Sequence, residues 1–174
     1  TMDKEKRKLL LTLFALCNDC YHDGGKLIGE PTERALAEIA EEEKVLLKEV
    51  RDEMPRIEEI PFSSERKMMT TIHALEDGKW ISVTKGAPDV LIEKCSQCLE
   101  GHHRVALAGG KKGRLRMVNG EMAAGALRVI GVAFKEWDTL PQKITAEDVE
   151  KDLIFAGLAG LMDPPRPEAA QAVA

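Results

Sequence analysis

"RKMMTTIHALEDGKWISVTK", residues 66–85, decides the fold. Two runs with strand texture flank Glu76-Asp77-Gly78-Lys79, and Asp-Gly between such runs is a strong short-range signal for an antiparallel hairpin. "IEEIPF" (57–62) precedes the pair and reads as another strand in the same series. Behind it, "TKGAPDVLIEKC" (84–95) turns at Gly86 and starts a helix on Pro88, a residue suited to a first helical turn. Side chains alternate along a strand, so Ile81, Val83 and Lys85 share one face. Lys85 therefore extends an inward-facing apolar row to the end of the strand, and so places a cation on a rigid pocket floor. A solvated lysine would sit more naturally on the alternate face with Ser82 and Thr84. Gly86 leaves the backbone beside it bare, open to close approach by a ligand.

Helices are expected on both sides of this hairpin. Residues 3–17 read as a helix with Leu9, Leu10, Leu13, Phe14 and Cys17 on one face. Asp23-Gly24-Gly25 is turn chemistry. "IGEPTERALAEIAEEE" follows, with Pro31 in the first turn, Glu30 and Glu33 at the positive helix start, and an apolar stripe of Leu36, Ile39 and Ala40. A short helical piece then stops at Met54-Pro55. Downstream, "GHHRVALAGGKKGRLR" reads as a glycine-rich basic loop holding one short strand. A helix is expected from Met122 to Leu127, a strand from Arg128 to Phe134, and a buried strand in "DLIFAGLAGLMD". Strands in hairpin order with helices set apart predict an α/β fold of the α+β type, an antiparallel β-sheet flanked by helices.

Composition narrows the function. The chain has 174 residues, 44% hydrophobic and 32% charged, enough for one domain with a proper core. Aromatics are only 4%, so the core must be aliphatic and an exposed aromatic is informative. Net charge −5 argues against nucleic-acid or direct membrane contact, whose footprint would be basic. The apolar run "LLLTLFALC" (9–17) is about half the roughly 20 residues a membrane span needs, and the start lacks the cleavage site of a signal peptide. Gly109-Gly110-Lys111-Lys112 lacks the Ser/Thr of a phosphate loop, no GxGxxG follows a strand, and no HExxH or GxSxG occurs.

Two CxxC pairs, Cys17/Cys20 and Cys95/Cys98, raise a zinc-stabilised interaction module as an alternative. A structural zinc site brings its pairs within about 15–20 residues, and these lie much further apart. Reduced thiols, with Cys17 on an apolar helix face, are the plainer reading.

Taken together and in order, "ALCND", "GEPTERAL", "PFSSERKMM", "TKGAPD", "MAAGALRVIGVAFKEW" and "GLAGLMDPPRPEA" resemble the nucleotide-binding domain of a type II P-type cation-transporting ATPase. The pieces span nearly the whole chain, and "DLIFAGLAGLMDPPRPE" is similar to the bacterial calcium-pump-like branch. The resemblance implies a domain at 1–160 and a proline-rich hinge at 161–174 that returns to a phosphorylation domain. It also implies ATP as ligand, with Mg2+ on the nucleotide in the full-length protein. The expected partners are the phosphorylation and actuator domains, and the expected setting is a monomeric cytoplasmic domain of a multi-pass plasma-membrane protein. The family's phosphorylated Asp-Lys-Thr-Gly-Thr motif is not in this sequence, so the domain should bind ATP without turnover and hold no catalytic residue.

Site residues follow from the same resemblance. Phe62 matches the adenine-stacking aromatic; it follows a proline and adjoins Ser63, Ser64 and Glu65, a poor place to bury a core phenylalanine. Glu33 matches the acid facing the adenine amino group, which a carboxylate can accept from. Lys67 and Lys85 match the two pocket lysines, Met69 a residue on the ring, Arg128 the arginine that reaches the phosphates, and Ile130 the apolar wall. Gly86 completes the set. Ser64 stands where the family often has arginine, a departure that leaves a nucleotide-blind structural or regulatory domain as a further alternative. The hairpin also poses a register question. A strict two-residue turn at Asp77-Gly78 would pair Thr70 with Lys85 and put Lys67 on the opposite face. A bulge, an odd-numbered loop, or Lys67 lying before the ladder would restore it.

Overall fold

The computed structural model describes residues 3–162. Helix α1 (Lys4–Leu16) leads to a small hairpin, β1 (Tyr21–Asp23) and β2 (Lys26–Ile28), around the Gly24-Gly25 turn. Helices α2 (Pro31–Glu42) and α3 (Leu47–Glu53) follow, then strands β3 (Arg56–Ser63), β4 (Met68–Ala74) and β5 (Trp80–Gly86). Next come α4 (Pro88–Glu93), β6 (Cys95–Glu100), β7 (His103–Ala106), α5 (Gly110–Ala124), β8 (Leu127–Trp137), α6 (Ala146–Val149) and β9 (Leu153–Met162). Seven strands form one sheet in the order β3-β4-β5-β8-β9-β6-β7, antiparallel throughout except for the parallel pair β6/β9. The expected sheet flanked by helices is therefore present, with one parallel pair that hairpin order does not foretell. Among the described residues no helix is long and apolar enough to cross a membrane.

Hairpin β4–β5 carries the register. Ala74 faces Trp80 and Met69 faces Lys85, with Gly78 at φ 78° and its N–H donating to the Leu75 carbonyl at 3.2 Å. The loop is odd-numbered: a tight turn over Glu76 and Asp77 is followed by a left-handed glycine, a geometry that suits three-residue hairpins. Lys67 precedes the ladder. Met69 and Lys85 thus fall on one face, and Lys67, in left-handed backbone before the ladder, is not bound by its alternation, so two of the three expected devices are present.

Helices α1, α2 and α3 pack on that face. Leu10, Leu13, Phe14 and Cys17 meet Val83, Val132 and Phe134 in one aliphatic-rich core. Leu11 is buried in α1, whereas Leu9, expected inside, is 38% exposed. The other face is also covered. Leu91 and Ile92 of α4 join Ala133, Leu153 and Phe155 in a second core. This corrects one expectation: Ser82 and Thr84 are fully buried, with hydroxyls engaged by the Trp137 indole N–H (2.9 Å) and by Thr70 (2.8 Å).

Three further differences have local causes. The glycine-rich stretch after residue 109 is helical from Gly110, although α5 buries none of its residues and so lacks the apolar stripe that marks a helix. The helix begun at Pro88 ends at Glu93, and Cys95 opens a strand instead. The four cysteines are free and buried, but Cys17 and Cys20 lie in one core and Cys95 and Cys98 in the other. The zinc module built on all four is not assembled. The proline-rich segment from Asp163 lies outside the described residues; Leu161 and Met162 close β9.

His73 is 1% exposed, with Nε2 at 2.8 Å from the Thr71 hydroxyl and Nδ1 at 3.0 Å from the Met54 carbonyl. Burial holds its pKa down to about 4. The unfolded chain therefore takes up this proton first as pH falls, so the stability it lends is complete above about pH 6.5 and is lost toward pH 4. Urea denaturation should show a loss of roughly 2 kcal/mol between pH 6.5 and 5, largely absent in His73→Asn. An unchanged midpoint over that interval contradicts the assignment.

Candidate functional site

A cavity of about 600 Å3 opens where β3, β4, β5 and β8 lie side by side and the start of α2 crosses them. Its lining includes Glu33, Phe62, Lys67, Met69, Lys85, Gly86, Arg128 and Ile130. Strand order explains the convergence. Met69 faces Lys85, Lys85 faces Val132, and Ile130 and Arg128 continue along the same face of β8 beyond the end of β5. Eight of the nine residues nominated from sequence meet here. Ser64 does not; it sits exposed in the turn that follows β3 and is absent from the lining.

An ion pair forms the floor. Lys85 Nζ lies 2.9 Å from Glu33 Oε1, and the two residues are 7% and 8% exposed. Glu33 is the third residue of α2, where the helix dipole favours an anion. Its other oxygen accepts the Asp19 N–H at 3.2 Å, and its carbonyl accepts from buried Asn18 Nδ2 at 2.9 Å. Arg51 and Arg56 both donate to the Asn18 carbonyl at 2.9 Å. The loop after α1 is thus tied from two sides and fixes where the carboxylate points. Arg56 also pairs with Asp19 (2.7 Å) and Glu59 (3.1 Å), offsetting two of the acids that line the rim.

The aromatic is placed by a bulge. Ile60 pairs with Thr70 and Ser63 with Met68, so Pro61 and Phe62 together oppose Met69 alone. A bulge re-aims side chains, and proline is tolerated on an edge strand such as β3. Phe62 is 62% exposed at the cavity wall. Leaving that ring in water forgoes roughly 1.5–3 kcal/mol of burial, so its position is not explained by the core.

Lys67 stands beside it in left-handed backbone, φ 60°, a conformation that costs a non-glycine residue roughly 1–2 kcal/mol. Its N–H donates to the Ser63 carbonyl at 2.7 Å and its carbonyl accepts the Ala87 N–H at 3.0 Å. Among the described residues its ammonium has no hydrogen bond or ion pair. Arg128 Nη1 donates to Thr32 Oγ1 at 2.7 Å, which joins β8 to α2 across the mouth.

Gly86 has a different reason from the one expected. A Cβ there would lie 2.6 Å from the Met68 Cβ and would also run into the Lys67 carbonyl oxygen. Strand packing demands the glycine, whatever a ligand does. Sequence reasoning missed Asp19, Thr32 and Glu59. Asp19 and Thr32 fall inside the quoted "ALCND" and "GEPTERAL", and Glu59 lies three residues before Phe62, but no pattern marks their roles.

Comparison with known proteins places these residues in context. The family model described as P-type ATPase, cytoplasmic domain N, matches residues 6–168. The chain is 38% identical to Calcium-transporting ATPase 1 of Lactococcus lactis over 161 residues, which is 92% of this chain and 18% of that protein. It is 38% identical to the Calcium-transporting ATPase of Bacillus subtilis over 168 residues, 94% of this chain and 19% of the relative. A Sodium/potassium-transporting ATPase subunit alpha-2 from Gallus gallus shares 32% identity over 154 residues, covering 83% and 15%. The chain thus spans under one fifth of the length of these relatives.

Removing one partner of a buried pair strands the other charge, at a cost of roughly 3–5 kcal/mol. Lys85→Ala should lower the stability measured by urea denaturation by about that amount, and Lys85→Ala with Glu33→Ala should recover part of it. A single variant within about 0.5 kcal/mol of the parent would show that water screens the pair.

Proposed function

The chain belongs to the family of P-type ATPase cytoplasmic N domains, and on that footing we propose that the cavity binds ATP by its adenine end. The observation that carries this reading is Phe62, a largely exposed ring at the wall of a cavity floored by a buried ion pair. Adenine stacks on Phe62, with Met69 and Ile130 as the apolar surroundings. Cavities of a few hundred to about 1,000 Å3 suit such ligands, and this one lies in that range.

Glu33 reads the base. An ionised carboxylate offers about four acceptor sites; Lys85 and the Asp19 N–H occupy two. A remaining site accepts from the adenine amino group, whereas the guanine carbonyl at the equivalent position meets an acceptor and gains nothing. Lys85 serves this arrangement first, because its ammonium is committed to Glu33. Lys67 and Arg128 then draw the phosphates, and Mg2+ arrives on the nucleotide.

Phosphoryl transfer lies outside this chain. In the parent protein the domain presents the terminal phosphate to an aspartate of the phosphorylation domain, on the cytoplasmic side of a multi-pass pump that also has an actuator domain. The bacterial relatives compared above are named as calcium-transporting, so calcium is the proposed cargo. The isolated domain should bind weakly, with Kd on the order of millimolar to tens of micromolar, about −4 to −6 kcal/mol, and without turnover.

An amide-resolved NMR titration with ATP, and separately with GTP, tests the reading. ATP should shift resonances at Glu33, Phe62, Lys67, Lys85 and Arg128, and GTP should do so less. Phe62→Ala should weaken ATP binding by about 5- to 150-fold, the equivalent of roughly 1–3 kcal/mol of stacking. If several millimolar of either nucleotide leaves those residues unmoved, the domain is a nucleotide-blind member of its fold.

A further inference from the structure

Behind the cavity lies a second ion pair, a buried carboxylate held by a partly exposed guanidinium. Arg66 donates through Nε and Nη2 to the two oxygens of Glu150, at 3.0 and 2.8 Å, and Glu150 is 3% exposed at the end of α6. Glu150 Oε1 also accepts from the Thr70 hydroxyl at 2.8 Å, which meets Thr84 at 2.8 Å. Thr70 and Thr84 alternate with Met69 and Lys85 along β4 and β5, so Glu150 sits on the face of the sheet opposite the cavity.

The guanidinium reaches further than its partner. Nη1 donates to the Pro61 carbonyl at 3.2 Å and Nη2 to the Met68 carbonyl at 2.9 Å, while the Arg66 N–H donates to Ser63 Oγ at 3.1 Å. Pro61 and Phe62 have no partner in the β3–β4 register, and β3 is an edge strand. Arg66 therefore supplies a donor where the ladder stops and bonds both strands that bracket the bulge. The next residue is Lys67, held in left-handed backbone.

We propose that Arg66 and Glu150 are positioning residues for the pocket: from behind the sheet they lock the Pro61–Phe62 bulge and the Lys67 turn into the geometry that presents ring and ammonium to the nucleotide. The inference rests on the ATP-binding reading above and deepens it. Stability alone does not call for a charge at Glu150, because an apolar residue of similar volume commonly replaces a buried ionic group without loss. No apolar side chain can bond the Pro61 and Met68 carbonyls at once. Lysine has three donors on a single nitrogen, so it cannot grip both Glu150 oxygens and both carbonyls as the planar fork does.

Arg66→Lys is accordingly the diagnostic variant, since it keeps a positive charge opposite Glu150 and loses the fork. Two quantities are measured on the folded domain: ATP affinity by NMR titration, and hydrogen exchange of the Lys67 and Ala87 amides without nucleotide. Relative to the unsubstituted protein, the variant should bind ATP about tenfold more weakly, and those two amides should exchange about tenfold faster while amides in β8 keep their rates. Glu150→Gln should move both readouts the same way, and stands in if Arg66→Lys does not give a dispersed spectrum. A lower thermal midpoint with ATP affinity within twofold of the unsubstituted protein assigns the pair to stability alone and overturns the proposal. If the unsubstituted protein itself fails to bind ATP, the functional reading fails, and the clamp is judged by exchange alone: unchanged Lys67 and Ala87 amides overturn it.

Discussion

The Glu33–Lys85 contact is the constraint on which the cavity depends. One partner comes from the first turn of α2, the other from the last turn-ward residue of the β5 face, and 2.9 Å separates their polar atoms. A carboxylate and an ammonium so deeply buried would each be costly alone, so the pair fixes where α2 crosses the sheet. Once α2 is fixed, Thr32 meets Arg128 and the Asp19 N–H meets the carboxylate. The cavity is the space left beneath that crossing.

Two polar layers sit back to back through the sheet. On the cavity face Lys85 neutralises Glu33; on the reverse face Arg66 neutralises Glu150. Between them runs the short stretch 61–69, in which a bulge, an exposed aromatic and a left-handed lysine follow in succession. Irregular backbone of this kind persists where surrounding bonds over-determine it, and it concentrates at ligand sites. Left-handed backbone also occurs at Lys44, Ala126 and Asp152, but at Lys67 it adjoins an exposed ring on the cavity wall.

Much of this was readable from residue order. Asp77-Gly78 between alternating runs fixes a hairpin, and the period of two puts Lys85 on the row of Ile81 and Val83. Pro61 before Phe62 hints at an edge and an exposed ring. What sequence hid had physical reasons. Helix α5 carries Gly110, Gly113 and Gly120 and buries no side chain, so neither propensity nor periodicity reports it. Strand β6 forms a local hairpin with β7, but it joins the main sheet through a parallel pairing to β9, residues more than fifty positions later, which no local signal carries. Ser82 and Thr84 look like solvent-facing residues but lie under a polar layer that only tertiary packing creates. Ser64 lies in sequence between Phe62 and Lys67, which line the cavity, and misses it because the chain turns there. The grouping of the other eight nominated residues owes more to the family resemblance than to local pattern.

Every proposed contact of the cavity follows from adenine lying against Phe62 above the Glu33–Lys85 floor. Intermolecular NOEs in the ATP-saturated, 13C-labelled domain test that contact directly. Cross-peaks are expected from adenine H2 and H8 to the Phe62 ring protons and to the Ile130 and Met69 methyls. Cross-peaks that instead join the base to residues outside the cavity, or ATP saturation with no contact to Phe62, would contradict it.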